Sequence, residues 1–378
     1  MTAILFVLNP GSTSTKTALF RDRNCLYEQT VRHQTSEMHL DGPIIRQLPV
    51  RLSAVAAAME QALAQNDLAP ADITAFVGRG GLIRSVPSGT YRIGPDMLAD
   101  LEMARYGSHA SNLGAIIAAR LAAPWGKPAY IVDPPSVDEM FSLARLTGLP
   151  QMRRKSAFHA LNQKAVARLA ADSIGKPYAA CNLIVAHLGG GISVGAHRAG
   201  QVIDVNNALE EGPFSPERSG TLPTQQLVDL CFSGRLPEEG IRRLLVGEGG
   251  LYAYTGTTDC RQIEEQMGSR PEYKELLEAM AYQIAKSIGA MAVSLGGQID
   301  AIILTGGLAH STWLTAQISG QVAFLGRILV LPGEHELAAL AGGALRVLNG
   351  EEPGLEYVRD PLPLPEPATV PAPEYARS

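Results

Sequence analysis

The chain has 378 residues, 46% hydrophobic and 18% charged, with a formal net charge of −5. That composition builds a large core and excludes a disordered or fibrous protein. The acidic balance excludes a broad nucleic-acid face, which needs massed Lys and Arg. Four cysteines (Cys25, Cys181, Cys231, Cys260) lie far apart with no C-x-x-C. Neither a disulfide framework nor a zinc site is expected, and a reducing, cytoplasmic setting is the simpler reading. No apolar run approaches the roughly 18–20 residues of a membrane helix, and the apolar stretch 3–8 is too short for a signal core.

In chain order, residues 4–28 (ILFVLNPGSTSTKTALFRDRNCLYE) read as a strand, a small-residue loop, a second strand, a turn and a third strand. Leu52, Val55, Met59 and Leu63 then recur at helical spacing. Residues 72–82 (DITAFVGRGGL) give an Asp, an apolar strand and a Gly-Gly pair, before a helix at 113–121 and a strand at 129–132. The order repeats. Residues 183–204 (LIVAHLGGGISVGAHRAGQVID) match the first segment, Ile4 aligning with Leu183 and Gly11 with Gly190 without a gap. A stripe of Leu276, Met280, Ile284, Ile288, Met291 and Leu295 follows. Then come 300–308 (DAIILTGGL), a helix at 313–318 and a strand at 328–331.

Hairpins followed by crossover helices imply α/β architecture, with mixed sheets flanked by helices. Two like halves imply a duplication around a central cleft, where ligands favour binding. Two unrelated α/β domains would show a similar alternation, but not loop, helix and Gly-Gly in one order. Residues 1–150 form the N-terminal half, joined by a C-terminal helix at 337–350, and 151–336 form the C-terminal half. Seven prolines between 353 and 373 mark 351–378 as an extended, poorly ordered tail.

Three loops suit a phosphate. Residues 9–16 (NPGSTSTK) approach a P-loop but lack the glycine before Lys16, and the chain continues as a strand, so a hairpin loop is expected. Its amides and the hydroxyls of Ser12 and Ser14 can surround an anion. Gly189, Gly190 and Gly191 sit at the duplicated position, where the backbone can approach a ligand closely. Gly306 and Gly307 end a buried strand before a helix. Each alone can be an ordinary turn; three in one duplicated frame point to a nucleotide.

With these loops in hand, the chain resembles the acetokinase family over about 4–350, and within it most closely the butyrate kinases. The segments that carry the likeness include NPGSTSTK at 9–16, VGRGGL at 77–82, SHASNLGA at 108–115 and FHALNQKAVAR at 158–168. AHLGGGISVGAH at 186–197, GPFSPERSG at 212–220, TGTTDCR at 255–261, LTGGLAHS at 304–311 and LPGEHEL at 331–337 continue it. The resemblance implies duplicated ribonuclease-H-like halves of the actin-like ATPase fold. It implies ATP-dependent phosphorylation of a short-chain fatty acid, butyrate first, to acyl phosphate and ADP. ATP and Mg²⁺ are the implied cofactors, and a homodimer or larger homo-oligomer the implied assembly, with no nucleic-acid or membrane partner.

Site residues follow from the same resemblance. Asn9, Ser12, Ser14 and Lys16 correspond to the transferred-phosphate loop, and Asp133 and Glu336 to magnesium-positioning carboxylates. Arg218 and Arg261 correspond to arginines on substrate and phosphate, and Asp259 to an aspartate beside the nucleotide. His109, His159 and His187 match active-site histidines, and Gly306 and Gly307 the adenosine loop. Arg79 stands where acetate kinases carry a histidine, four residues after their own arginine, and is the expected clamp on the carboxylate; Gly190 replaces an asparagine. Ser108, Phe158 and Pro216 are the expected acyl-pocket positions, Ser108 replacing a bulky aliphatic residue.

The residue types fit the chemistry. A carboxylate is already ionised at neutral pH and needs no general base. The obstacle is bringing two anions together, which arginine forks, magnesium and hydrogen-bond donors relieve. Plainer readings stand beside each assignment. Arg218 can pair with Glu217 and Arg261 with Asp259. Asp133 can close a turn, Glu336 can cap the helix after it, and the histidines can be satisfied core groups. The remaining histidines, His33, His39, His197, His310 and His335, show no metal spacing and are assigned nothing. The functional rivals are an acetate or propionate kinase, a branched-chain fatty acid kinase, a sugar kinase and a nucleotide-gated module without kinase activity.

Overall fold

The computed structural model describes residues 2–34 and 42–360; His39 and the proline-rich stretch beyond 360 lie outside the described residues. The chain divides into two compact units. One holds Met1–Ser136, Phe141–Lys155 and the chain from Leu340 onward; the other holds Val137–Met140 and Ser156–Ala339.

In the first unit, β1 (Ile4–Pro10), β2 (Ser14–Arg21) and β3 (Asn24–Arg32) form an antiparallel meander. The helix α1 (Leu48–Ala64) leads to β4 (Ala75–Arg79), which pairs parallel to β1. There follow β5 (Thr90–Arg92), α2 (Pro95–Glu102), α3 (Asn112–Ala122) and β6 (Ala129–Val132), parallel to β4. β1 is buried along its whole length, as a strand covered on both faces must be.

The second unit starts with α4 (Ala160–Ser173), then the meander β7 (Asn182–Leu188), β8 (Ile192–Arg198) and β9 (Gln201–Val205). Four short helices intervene: α5 (Thr224–Phe232), α6 (Glu238–Leu245), α7 (Gly250–Thr255) and α8 (Cys260–Gln266). The long helix α9 (Pro271–Ser294) buries the expected stripe, including Met280, Ile284 and Ile288. β10 (Ala301–Gly306), α10 (Thr312–Val322) and β11 (Ile328–Pro332) complete the sheet. The helix α11 (Glu336–Leu348) begins in this unit and continues into the first, where β12 (Leu355–Glu356) pairs with β5.

The duplication is visible in strand order. One sheet runs β12-β5-β6-β4-β1-β2-β3, and the other β11-β10-β7-β8-β9. Removing the β12-β5 edge leaves the same five-strand order twice, with the second strand of each meander antiparallel. The first hairpin loop is one residue longer than the second, since Pro10 pairs with Thr15 but Leu188 with Ile192. Among the described residues no helix is long and apolar enough to cross a membrane.

The tail reading is corrected for 351–360. Leu355 and Glu356 add a parallel strand beside Tyr91 and Arg92. Tyr357 is buried and donates its hydroxyl to Asp100 Oδ2 at 2.8 Å, and Arg359 Nε lies 2.7 Å from Asp100 Oδ1. Proline content masked a sheet edge whose partner, β5, is only three residues long.

Candidate active site

The first unit offers a row of polar groups on one sheet face. Asn9 of β1 stands opposite Lys16 of β2. Arg79, at the end of β4, donates Nη1–H to Asn9 Oδ1 at 3.3 Å. Directly opposed residues share a face, so Lys16, Asn9 and Arg79 line up across three neighbouring strands.

Below the first loop lies a group the sequence reading missed. Arg51 of α1 is fully buried and donates to Ser12 O (2.6 Å), Ser14 O (3.2 Å), Thr15 Oγ1 (3.3 Å) and Gln47 Oε1 (3.1 Å). Its described partners are all neutral oxygens. Burial lowers its pKa to about 10, so it stays charged at neutral pH. His33 N–H donates to Thr13 O at 3.0 Å. The carbonyls of the loop thus turn toward the body of the unit. A trans peptide sets C=O and N–H on opposite sides, so Thr13 N–H, which shares its peptide with Ser12 O, points away from Arg51. An outward amide over a buried cation suits an anion.

His109 Nδ1 accepts from Ser111 N–H at 3.2 Å and lies 2.8 Å from Ser111 Oγ, which leaves the ring proton on Nε2. Desolvation by its surroundings, then the Arg79 charge, lowers its pKa, although one edge of the residue is exposed. Asp133 follows β6 with a φ of +38°, a region that aspartate tolerates better than most residues. It exchanges two hydrogen bonds with Gly89, accepting from Gly89 N–H on Oδ1 at 2.8 Å and donating its own N–H to Gly89 O at 3.0 Å. Ser108 is exposed.

The second unit holds the densest cluster. The rings of His159 and His187 stack with centroids 3.8 Å apart and planes 12° from parallel. His187, the penultimate residue of β7, lies on the face that also carries Ser193 and Thr305, its partners in β8 and β10. His159 occupies the N-cap position of α4 without a side-chain capping bond. Asn162 Nδ2–H donates to Glu334 O at 2.6 Å, which turns Asn162 Oδ1 toward His187 Nδ1 at 2.7 Å. His187 therefore donates from Nδ1.

The glycine turn lies against these rings. A Cβ on Gly189 would stand 3.2 Å from His187 Nε2, and one on Gly191 would be 2.1 Å from Arg218 Nη1. Glycine at 191 is thus what lets the guanidinium lie over the turn. Gly190 O accepts from Ser215 Oγ, and a Cβ on Gly190 would stand 3.2 Å from Glu217 Oε1. Arg218 also donates to Ala208 O at 2.9 Å, while its Nε is buried without a hydrogen-bond partner. Glu217 is 3.9 Å away, too long for a tight pair. Burial lowers the Arg218 pKa, with Glu217 opposing.

Other assigned residues sit apart from that cluster's contacts. Arg261 is 88% exposed, with Nε 3.6 Å from Asp259 Oδ1. Asp259 caps α8, accepting from Arg261 N–H and Gln262 N–H. Phe158 and Pro216 are buried in the second unit. Gly306 has a φ of +89°, and a Cβ there would meet Leu188 O at 2.4 Å, whereas one on Gly307 would enter open space. Gly306 is therefore required by the close approach to β7, and Gly307 is not. Glu336 is the first residue of α11, where a carboxylate also favours the helix dipole.

Among the described residues no group of three His, Cys, Asp or Glu can hold a metal ion. Magnesium differs from zinc in needing only one or two carboxylates, with water and phosphate oxygens as its other ligands. Asp133 and Glu336, one carboxylate in each unit, are of the type that chemistry needs, and neither belongs to a cluster that would make a dedicated protein cage.

Sequence reasoning missed Arg51, Asn162, Ser193, Ser215 and Glu217. The spacing His159, Asn162, Gln163 puts all three on one helix face, a signal present in the sequence. Arg51 carried none, because a lone arginine among apolar helix positions reads as solvated.

Solved structures show the same fold at low identity. The acetate kinase of Porphyromonas gingivalis matches with a TM-score of 0.75 at 20% identity, covering 92% of this chain and 100% of that one. A propionate kinase from Francisella tularensis subsp. tularensis SCHU S4 gives 0.69 at 20%, covering 90% and 98%. The acetate kinase of Entamoeba histolytica gives 0.70 at 18%, covering 90% and 98%. With the repeated strand order, these likenesses show the actin-like ATPase fold with duplicated ribonuclease-H-like halves. The acetokinase family profile matches residues 140–334, slightly more than half of the sequence and the part that carries both stacked histidines, the glycine turn and Arg218. On that match, over this fold, the chain belongs to the acetokinase family.

Proposed function

We propose that the protein transfers the γ-phosphoryl group of ATP to the carboxylate of a short-chain fatty acid, with butyrate preferred over acetate. One observation carries the reading: stacked His159 and His187 beside the Gly189–Gly191 turn, with the Arg218 guanidinium laid over Gly191. A cation and hydrogen-bonding rings gathered on a glycine turn suit a group whose negative charge is shared over several oxygens.

A carboxylate oxygen forms the new bond to the γ-phosphorus as the bond to the β–γ bridging oxygen breaks. ADP leaves with that electron pair, and no proton is transferred. Arg218 neutralises the phosphoryl oxygens and His159 donates a hydrogen bond to them, Arg79 and Asn9 of the first unit hold an anion there, and Arg51 adds a fixed positive charge behind the first loop. Asp133 of the first unit and Glu336 of the second are the carboxylates offered to magnesium, which would supply further charge neutralisation when bound. Butyrate is preferred on the argument that Ser108 replaces a larger side chain. Two extra methylenes, each worth about 0.8 kcal/mol when buried, favour butyrate by roughly tenfold.

The test is ADP formation with acetate, propionate, butyrate, isobutyrate and a sugar. The expected result is kcat/KM for butyrate or isobutyrate about tenfold above acetate, with no turnover of the sugar. A preference for acetate would overturn the chain length alone. Turnover of the sugar and of no acid would overturn the acyl-kinase reading.

A further inference from the structure

Behind His159 lies a file of side chains that no part of the proposed chemistry uses. Gln163 Nε2 donates to Ser193 O at 3.0 Å and to Ser193 Oγ at 2.8 Å. A backbone carbonyl can only accept, so this contact fixes the amide: its nitrogen faces Ser193 and its Oε1 faces His197 Nε2, 3.0 Å away. His197 must then donate from Nε2. The ring is fully buried, and its burial, with the nearby Lys164 charge, keeps its pKa well below the ordinary value. A neutral imidazole that donates from Nε2 accepts on Nδ1, where the Tyr178 hydroxyl lies 2.8 Å away.

The direction propagates toward the site. Ser193 Oγ already accepts from Gln163, and His159 N–H lies 3.5 Å from it. Its one proton is left for His159 Nδ1, 2.9 Å away. Every bond in the file therefore points one way, from Tyr178 through His197, Gln163 and Ser193 to His159. The backbone makes room for it: a Cβ on Gly195, in the middle of β8, would stand 2.6 Å from Gln163 Oε1 and 3.5 Å from His197 Nε2.

We propose that Ser193, Gln163, His197 and Tyr178 are positioning residues that hold His159 as its Nε2–H tautomer, so that this ring donates a hydrogen bond to the transferring phosphoryl group. The proposal deepens, and rests on, the acyl-kinase reading. It also gives the stacked pair a division of labour. Asn162 holds His187 as the opposite tautomer, proton on Nδ1, so neighbouring rings carry a donor and an acceptor at their Nε2 positions. A ring in the wrong tautomer turns an acceptor lone pair toward an anion, which repels it.

The test uses the full chain with nitrogen-15-labelled histidine. His159 is assigned by its loss in His159→Gln. The wild-type ring should show the nitrogen shift pattern of an Nε2–H imidazole, and His187 that of an Nδ1–H imidazole. Ser193→Ala removes the proton given to Nδ1 while Gln163 keeps its bond to the 193 carbonyl. It should shift His159 to a mixture of tautomers and lower kcat by roughly tenfold to a hundredfold, with KM for both substrates within about twofold. Should Ser193→Ala fold poorly, Gln163→Met is the second variant, with the same expected spectrum. His159 protonated on Nδ1 in the wild type would overturn the proposal. So would an unchanged spectrum and rate in a folded Ser193→Ala protein. A wild type that phosphorylates no acid would sink the acyl-kinase reading alone, since the spectra decide the tautomer independently.

Discussion

Arg218 directly follows Glu217 and Arg261 comes two residues after Asp259, and their surroundings separate them. Arg218 is held over Gly191 with a buried, unpartnered Nε, a state that a bound oxyanion would satisfy. Arg218→Ala is expected to lower kcat by roughly a hundredfold, the scale of one lost charged donor, measured by ADP release. Arg261 lies on the exposed start of a short helix, so Arg261→Ala should move stability by less than about 0.5 kcal/mol. Turnover then reads its role cleanly: a hundredfold loss is expected if the resemblance carries over, and an unchanged rate would remove it from the site. His197 makes a pH prediction at the same scale. Its folded pKa is depressed, so the unfolded chain binds a proton that the folded chain does not. Stability should be full above about pH 6.5 and fall below it, by up to about 1.4 kcal/mol per pH unit from this group. Urea midpoints at pH 7 and pH 5 measure this, and His197→Gln should flatten the difference.

The two hairpin loops show how elements, not single residues, make the site. The first is shaped from beneath by a helix, because Arg51 of α1 gathers the carbonyls of Ser12 and Ser14. Arg51→Met keeps the volume but strips those carbonyls of a donor and removes the only buried charge described there. We expect a cost of about 1–3 kcal/mol, faster proteolysis within 11–14 and a turnover loss of roughly tenfold. A variant with native protease resistance and native rate would show that the loop shapes itself. The meanders and their long helices were legible in the sequence because each alternates or repeats with a period that burial imposes, as α9 does. The helix α4 was not, since its buried face includes Asn162, Gln163 and Lys164, which break any apolar stripe. Helix α5 buries nothing, so no periodicity marks it. The glycine turn and Arg218 could be named from sequence. Their contact could not, because it joins residues 27 positions apart through a fold neither specifies.

At the scale of the whole chain, the return of the C-terminal segment to the first unit is the feature that composition hid. The helix α11 packs Leu340, Ala341 and Ala344 into that unit, and β12 then extends its sheet by one strand. The fastening is electrostatic. Asp100 is fully buried in α2, and Arg359 and the Tyr357 hydroxyl reach it from the far end of the sequence, with Arg105 3.6 Å away. A buried carboxylate robbed of its partners is costly, so the segment and α2 stabilise one another. Arg359→Ala together with Tyr357→Phe should lower unfolding stability by about 3 kcal/mol, read by urea titration. Adding Asp100→Asn to that double variant should restore part of the loss, because the orphaned charge goes with it. Separately additive effects of the three substitutions would mean that the segment is held by β12 and the Tyr357 ring alone, and that Asp100 is an independent helix residue.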